Sequence, residues 1–110
     1  MKVINRLKKD EEFKKVLKNH KVLKNETFNV FYKKNELNRL RIGISVSKKI
    51  GNAVIRVKVR RQIRAFIAIY NNYQKGYDIV IVTKRVFTTQ PFETNYKSLI
   101  SLLNKATQGE

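Results

Sequence analysis

The stretch from Ala53 to Tyr70 constrains the fold more than any other part of the chain. At about 100° per residue, Ile55, Val59, Ile63, Phe66, Ile67 and Tyr70 fall within about a third of a helix circumference. Lys58, Arg60, Arg61 and Arg64 cover much of the remainder, and Arg56 stands at the border. The pattern predicts a long helix starting near Ala53, with a basic ridge on one side and an apolar stripe that needs a sheet to lie on. Asn71, Asn72 and Gly76 are expected to end it.

The strands for that sheet are legible on either side. From Phe28 to Lys33, Phe28, Val30 and Tyr32 point one way and Asn29, Phe31 and Lys33 the other. Lys34 to Asn38 reads as a polar hairpin loop, followed by a strand from about Leu40 to Val46. Asp78 to Thr83 carries the unbroken apolar run Ile79-Val80-Ile81-Val82, which suits a central strand buried on both faces. Before them, Asp10-Glu11-Glu12 places negative charge in the first turn of a short helix running to about Asn19, with Phe13, Val16 and Leu17 on its apolar side. After Pro91, Tyr96, Leu99, Ile100 and Leu103 mark a final amphipathic helix. The expectation is an α+β fold, a mixed sheet packed with helices, forming a single domain over residues 1–110.

Charge narrows the function. Twenty-five Lys and Arg against eight Asp and Glu give a formal +17, and between Leu37 and Tyr77 there are ten basic residues and no acidic one. A merely solvated face mixes both signs, whereas one that excludes carboxylates attracts a polyanion. With no Cys, disulfides and thiolate metal sites are excluded. The basic start lacks the apolar run of a signal peptide, and no 18-residue apolar segment follows, so a cytoplasmic protein without membrane contact is expected.

The most informative local passage runs from Arg41 to Val54: an apolar strand, the turn Ser47-Lys48-Lys49-Ile50-Gly51-Asn52, then the basic helix. Free backbone donors and the positive dipole end at a helix start suit phosphate, and Arg forks can grip phosphate oxygens bidentately. Asn52 can either cap the helix or hydrogen-bond to sugar or backbone. Lys48, Lys49, Asn52, Arg56, Lys58, Arg60, Arg61 and Arg64 are therefore the candidate RNA-binding residues. Phe13, Leu17, Asn29 and Phe31 form a candidate groove for an unstacked nucleotide. Core packing of the same apolar residues is the alternative, and both stand at this point.

No catalytic site is visible. Gly43 and Gly51 match no nucleotide-binding loop. Ser45 or Ser47 beside Lys48 and Lys49 lacks the third orienting group of a nucleophilic site. The lone His20 has no second ligand, and the eight scattered acidic residues do not suggest the converging carboxylates of a two-metal nuclease.

Arg6-Leu7-Lys8, Phe13, Phe28, Phe31 and above all the block Gly43-Ile44-Ser45-Val46-Ser47-Lys48-Lys49-Ile50-Gly51-Asn52-Ala53-Val54-Ile55-Arg56 resemble the bacterial ribonuclease P protein component, over almost the whole chain. The resemblance implies a four-stranded mixed sheet like the second domain of ribosomal protein S5, with a left-handed βαβ crossover. It also implies an accessory subunit of an endonuclease whose chemistry lies in a catalytic RNA. That RNA, with Mg bound mainly to it, removes the 5′ leader of precursor tRNA, and the protein contacts both RNAs. The family's leader cleft maps onto Phe13, Leu17, Asn29 and Phe31. Val57 departs from the family's usual Asn, Lys58 from its Arg, Leu17 from an aromatic, Asn29 from an apolar residue and His20 from Gly. A ribosomal or other structured-RNA-binding protein is the alternative; it accounts for charge and size but not for the Ser45-to-Arg56 block.

Overall fold

A computed structural model describes residue 16, residues 21–70 and residues 76–108. Its elements are β1 (Lys21–Lys24), β2 (Phe28–Lys34), β3 (Arg41–Ser45), a 3-10 turn (Lys48–Ile50), α1 (Ala53–Tyr70), β4 (Tyr77–Thr83), a second 3-10 turn (Arg85–Thr89) and α2 (Phe92–Gln108). The expected elements from β2 onward are present to within a residue or two. Phe13, Leu17 and His20, and all of the expected first helix except Val16, lie outside the described residues.

The four strands form one mixed sheet in the order β1-β2-β4-β3. The apolar run Ile79–Val82 takes an inner position: β4 pairs antiparallel with β2 (Phe28 opposite Thr83, Lys34 opposite Tyr77) and parallel with β3 (Arg41 opposite Asp78, Ser45 opposite Val82). This corrects the hairpin expected at Lys34 to Asn38. β2 and β3 are not partners, because β4, whose Ile79, Val80 and Ile81 are wholly buried, fills the space between them. The connecting segment instead crosses the end of β4. There Asn35 N–H donates to Gly76 O at 2.8 Å, and Asn35 Nδ2 donates to Arg39 O at 3.1 Å and to Asp78 Oδ1 at 2.8 Å. α1 is the crossover between the parallel neighbours β3 and β4.

Strand alternation gives the sheet two different faces. Phe28, Val30, Ile42, Ile79 and Ile81 pack against Val59, Ile63, Phe66 and Ile67 of α1 and Leu99, Leu102, Leu103 and Ala106 of α2. Burying one such Ile or Phe side chain contributes roughly 1.5–3 kcal/mol. Phe28 meets Phe87 edge-on at 5.8 Å, and Phe66 meets Phe92 and Tyr96 at 4.8 and 5.6 Å. Tyr70 and Thr107 share a 3.1 Å hydroxyl hydrogen bond that joins the C-terminal turns of the two helices. The opposite face carries a smaller cluster, in which Phe31 and Val82 pack around buried Val80 and Val16.

At one end of the sheet, Arg41 and Asp78 sit opposite each other in register and form a two-pronged pair. Nε donates to Oδ1 at 2.8 Å and Nη2 to Oδ2 at 2.7 Å. Asn35 completes the satisfaction of Oδ1, so this largely buried charge is both paired and hydrogen-bonded. Among the described residues, no helix is long and apolar enough to cross a membrane.

Candidate nucleic-acid interface

The interface begins where β3 hands the chain to α1. Val46 and Ile50 are buried, which holds both ends of the turn and leaves Lys48 and Lys49 exposed between them. Ile50 N–H donates to Ser47 O at 3.1 Å, closing the turn. Gly51 follows because nothing larger fits: a Cβ there would lie 2.9 Å from Ile55 Cγ2 and 3.0 Å from Ile55 Cβ. Ile55 was expected in the core stripe. Its side chain instead folds back over Gly51 and stays 38% exposed, as helical side chains lean toward the preceding turn.

Asn52 resolves to a helix cap. Its Oδ1 accepts from Ile55 N–H at 3.0 Å, and its carbonyl accepts from Arg56 N–H at 3.0 Å. The cap fixes the first turn from which the cations project. Lys58, Arg61 and Arg64 are exposed, while Arg56 and Arg60 are half-buried along the edge of the core stripe Val59, Ile63, Phe66 and Ile67. Arg56 Nε is enclosed and has no hydrogen-bond partner. Among the described residues the salt bridges are Arg41–Asp78 and Lys97–Glu93, so no cation of α1 or of the Lys48–Ile50 turn is neutralised by one of these carboxylates.

The fold brings two further cations to the turn that the sequence patterns do not single out. Lys84 and Arg85 follow β4 directly, and with Ser47, Lys49, Ile50 and Thr83 they line an open cleft of about 610 Å³. Arg85 Nε approaches Lys49 O at 3.4 Å, and Lys84 Nζ donates to Asn25 O at 2.6 Å. Thr83 Oγ1 is buried there without a partner. A Lys-Arg pair after an apolar strand is too short a pattern to stand out. Only the parallel pairing of β3 with β4, which sets their ends side by side, gives it meaning.

Asn29 and Phe31 do share a face, opposite Phe28 and Val30, and both are half-buried. Phe31 sits beside Val22 and Val80 in the cross-strand register, and Asn29 beside Lys24 and Val82. Asn29 Oδ1 is buried without a hydrogen-bond partner. Phe31 thus belongs partly to the small cluster with Val16, and partly to the surface.

Comparison with known proteins agrees with this arrangement. The family described as Ribonuclease P matches residues 1–107. The ribonuclease P protein component of Bacillus pumilus is 40% identical over 109 residues, covering 96% of this chain and 91% of that one. The component of Alkaliphilus oremlandii is 36% identical over 106 residues, covering 96% and 93%. The solved structure of the Staphylococcus aureus RNase P protein superposes with a TM-score of 0.85 at 32% identity, covering 93% of this chain and 94% of that one. A helix that keeps its cations free of carboxylates, seated on this sheet and matched end to end, leaves one assignment: the chain belongs to the bacterial ribonuclease P protein components, accessory subunits of an RNA-based endonuclease that processes the 5′ end of precursor tRNA.

Proposed function

We propose that the chain acts as one RNA-binding domain over residues 1–110, holding the catalytic RNA with its basic turn and helix and the 5′ leader with the opposite sheet face. Lys48, Lys49, Arg56, Lys58, Arg60, Arg61 and Arg64 meet phosphates of the catalytic RNA. Asn52 serves them by fixing the start of α1. Phe31 offers its ring to a leader nucleotide, beside Asn29, with Phe13 and Leu17 expected on the facing wall. The observation that carries this reading is α1 itself: eighteen residues, five cations outside the core stripe, no carboxylate, and none of the described carboxylates within salt-bridge reach.

The ion that activates water is Mg, and the described carboxylates do not fit a Mg site on the protein. Both oxygens of Asp78 are engaged by Arg41, and Glu93 is spent on Lys97. No group of three or more His, Asp or Glu converges among the described residues. The ion therefore belongs mainly to the RNA, and the protein's share is positive potential and positioning. The setting is the cytoplasm, with catalytic RNA and precursor tRNA as partners.

Reconstitution tests the division of labour. Purified protein alone should leave precursor tRNA uncut, and addition of the cognate catalytic RNA with Mg should give cutting at the mature 5′ end. Specific cleavage by RNA-free protein of verified purity would overturn it.

A further inference from the structure

The basic ridge of α1 is not uniformly basic. At about 100° per residue, Arg56, Arg60 and Arg64 run down one flank, while Val57, Arg61, Val54 and Lys58 follow in that order around the outward side. Val54 is 70% exposed and Val57 49%, the least covered apolar side chains of the N-terminal half of the helix. Together with Ala53, Lys58 and Arg61 they line a shallow depression of about 360 Å³. Val54, Val57, Lys58 and Arg61 are related by steps of three and four residues, so they form one diamond of touching neighbours. Two branched apolar side chains occupy its N-terminal half and two long cations its C-terminal half.

Helix stability does not account for the two valines. β-branched residues are poorer helix formers than Ala, Lys or Glu, and neither Val54 nor Val57 belongs to the core. Val57 also stands where the resemblance leads one to expect Asn, so the apolar character here is this chain's own.

We infer that this diamond seats an unstacked nucleotide of RNA, its base or ribose face on Val54 and Val57 and its flanking phosphates on Lys58 and Arg61. The occupant is RNA because of what surrounds the shelf. Every charged side chain of α1 is a cation, and a protein partner seated here would have to bring a ring of carboxylates of its own. Extruded bases of structured RNA are ordinarily held between an apolar or aromatic surface and Arg or Lys. The inference rests on the reading of α1 as an RNA-binding helix and adds an apolar, salt-independent contact to it. Two RNAs could supply the nucleotide, the catalytic RNA or precursor tRNA, and the chemistry at the shelf is the same for both.

The test uses the full chain with each RNA separately, across a series of salt concentrations. Val54→Thr with Val57→Thr keeps side-chain shape and branching while replacing a methyl by a hydroxyl; Val54→Ser with Val57→Ser removes more. Thermal unfolding confirms that both variants are folded. Affinity should drop by about 5- to 20-fold, the scale of withdrawing two Val side chains from an apolar contact, and by the same factor at every salt concentration. The RNA that shows the loss is the one supplying the nucleotide. Arg60→Ala with Arg64→Ala, which lie off the shelf, should instead flatten the salt dependence. If that pair flattens it while both valine variants bind like the parent, the shelf is refuted and the ridge stands. If neither set changes RNA binding, the ridge fails too. A parent chain that self-associates through this patch, with valine variants that are monomeric yet bind RNA normally, would make the shelf a protein contact and overturn the inference.

Discussion

Replacing Arg60, Arg61 and Arg64 together by Ala separates an RNA-binding ridge from an ornamental one. None of the three makes a salt bridge among the described residues, and none belongs to the buried stripe Val59, Ile63, Phe66 and Ile67 that holds α1 in place. Ala is the best helix former, so the fold should survive. Each cation that meets a phosphate adds about 0.7 to 0.9 to the slope of log affinity against log salt, the lower value for single strands. Three contacts therefore account for roughly 2 to 3 units of slope. Lines for parent and variant should converge near about 1 M salt and diverge below it, giving a loss of about 100- to 500-fold near 0.1 M. Two contacts would give about 25- to 60-fold on the same scale. The assay is equilibrium binding to the catalytic RNA at several salt concentrations, with circular dichroism as the folding control. A folded triple variant whose slope equals the parent's would refute the reasoning, and so would a loss of the same size at every salt concentration.

Other expected outcomes follow from single side chains. Phe28→Ala empties a wholly buried position against Phe87 and should destabilise the fold by about 3–5 kcal/mol, read by denaturant titration. Phe31→Ala, on the other sheet face, should weaken binding of precursor tRNA by the reconstituted particle about 5- to 150-fold and barely change binding of mature tRNA without a leader; equal effects on both RNAs would remove Phe31 from leader binding. Asn52→Ala deletes the acceptor for Ile55 N–H and should destabilise by about 1 kcal/mol, lowering the melting temperature by roughly 5 °C. A variant that melts like the parent but loses RNA affinity would reassign Asn52 from cap to contact.

These outcomes depend on how far local sequence pattern determines position in the fold. β4 is legible as an inner strand because an unbroken Ile-Val-Ile-Val run has no polar face to offer solvent. α1 is legible because six apolar residues keep helical spacing over eighteen positions. The link between β2 and β3 is not legible, since a polar loop signals a reversal of direction without saying which strand the chain returns beside. Pairing β3 with β4 is a tertiary event, settled by the cover that Ile79, Val80 and Ile81 require. β1 escapes notice for a related reason: Lys-Val-Leu-Lys is short, only half-buried, and recognisable as an edge strand only once β2 lies beside it. Lys84 and Arg85 become site candidates for the same cause, because their neighbour Lys49 is remote in sequence and adjacent in space.

The ends of α1 show why a protein this small can present charge effectively. A cation on a flexible segment must be ordered when it meets phosphate, and that entropy opposes binding. Here the helix start is held by buried Ile50, by Ile55 folded over Gly51 and by the Asn52 cap, all within one turn of Arg56. Its other end is tied to α2 through Tyr70 and Thr107, and its underside is set on the sheet by Phe66 and Ile67, both wholly buried. The ordering is done by folding, before RNA arrives. The single Asp of the sheet is meanwhile consumed by Arg41, its register partner, so it does not offset the field of the helix. The same residues that make the domain stable therefore make the ridge rigid and unopposed. Loosening the anchor at Gly51 or Asn52 should accordingly weaken RNA binding without removing a single positive charge and without altering its salt slope.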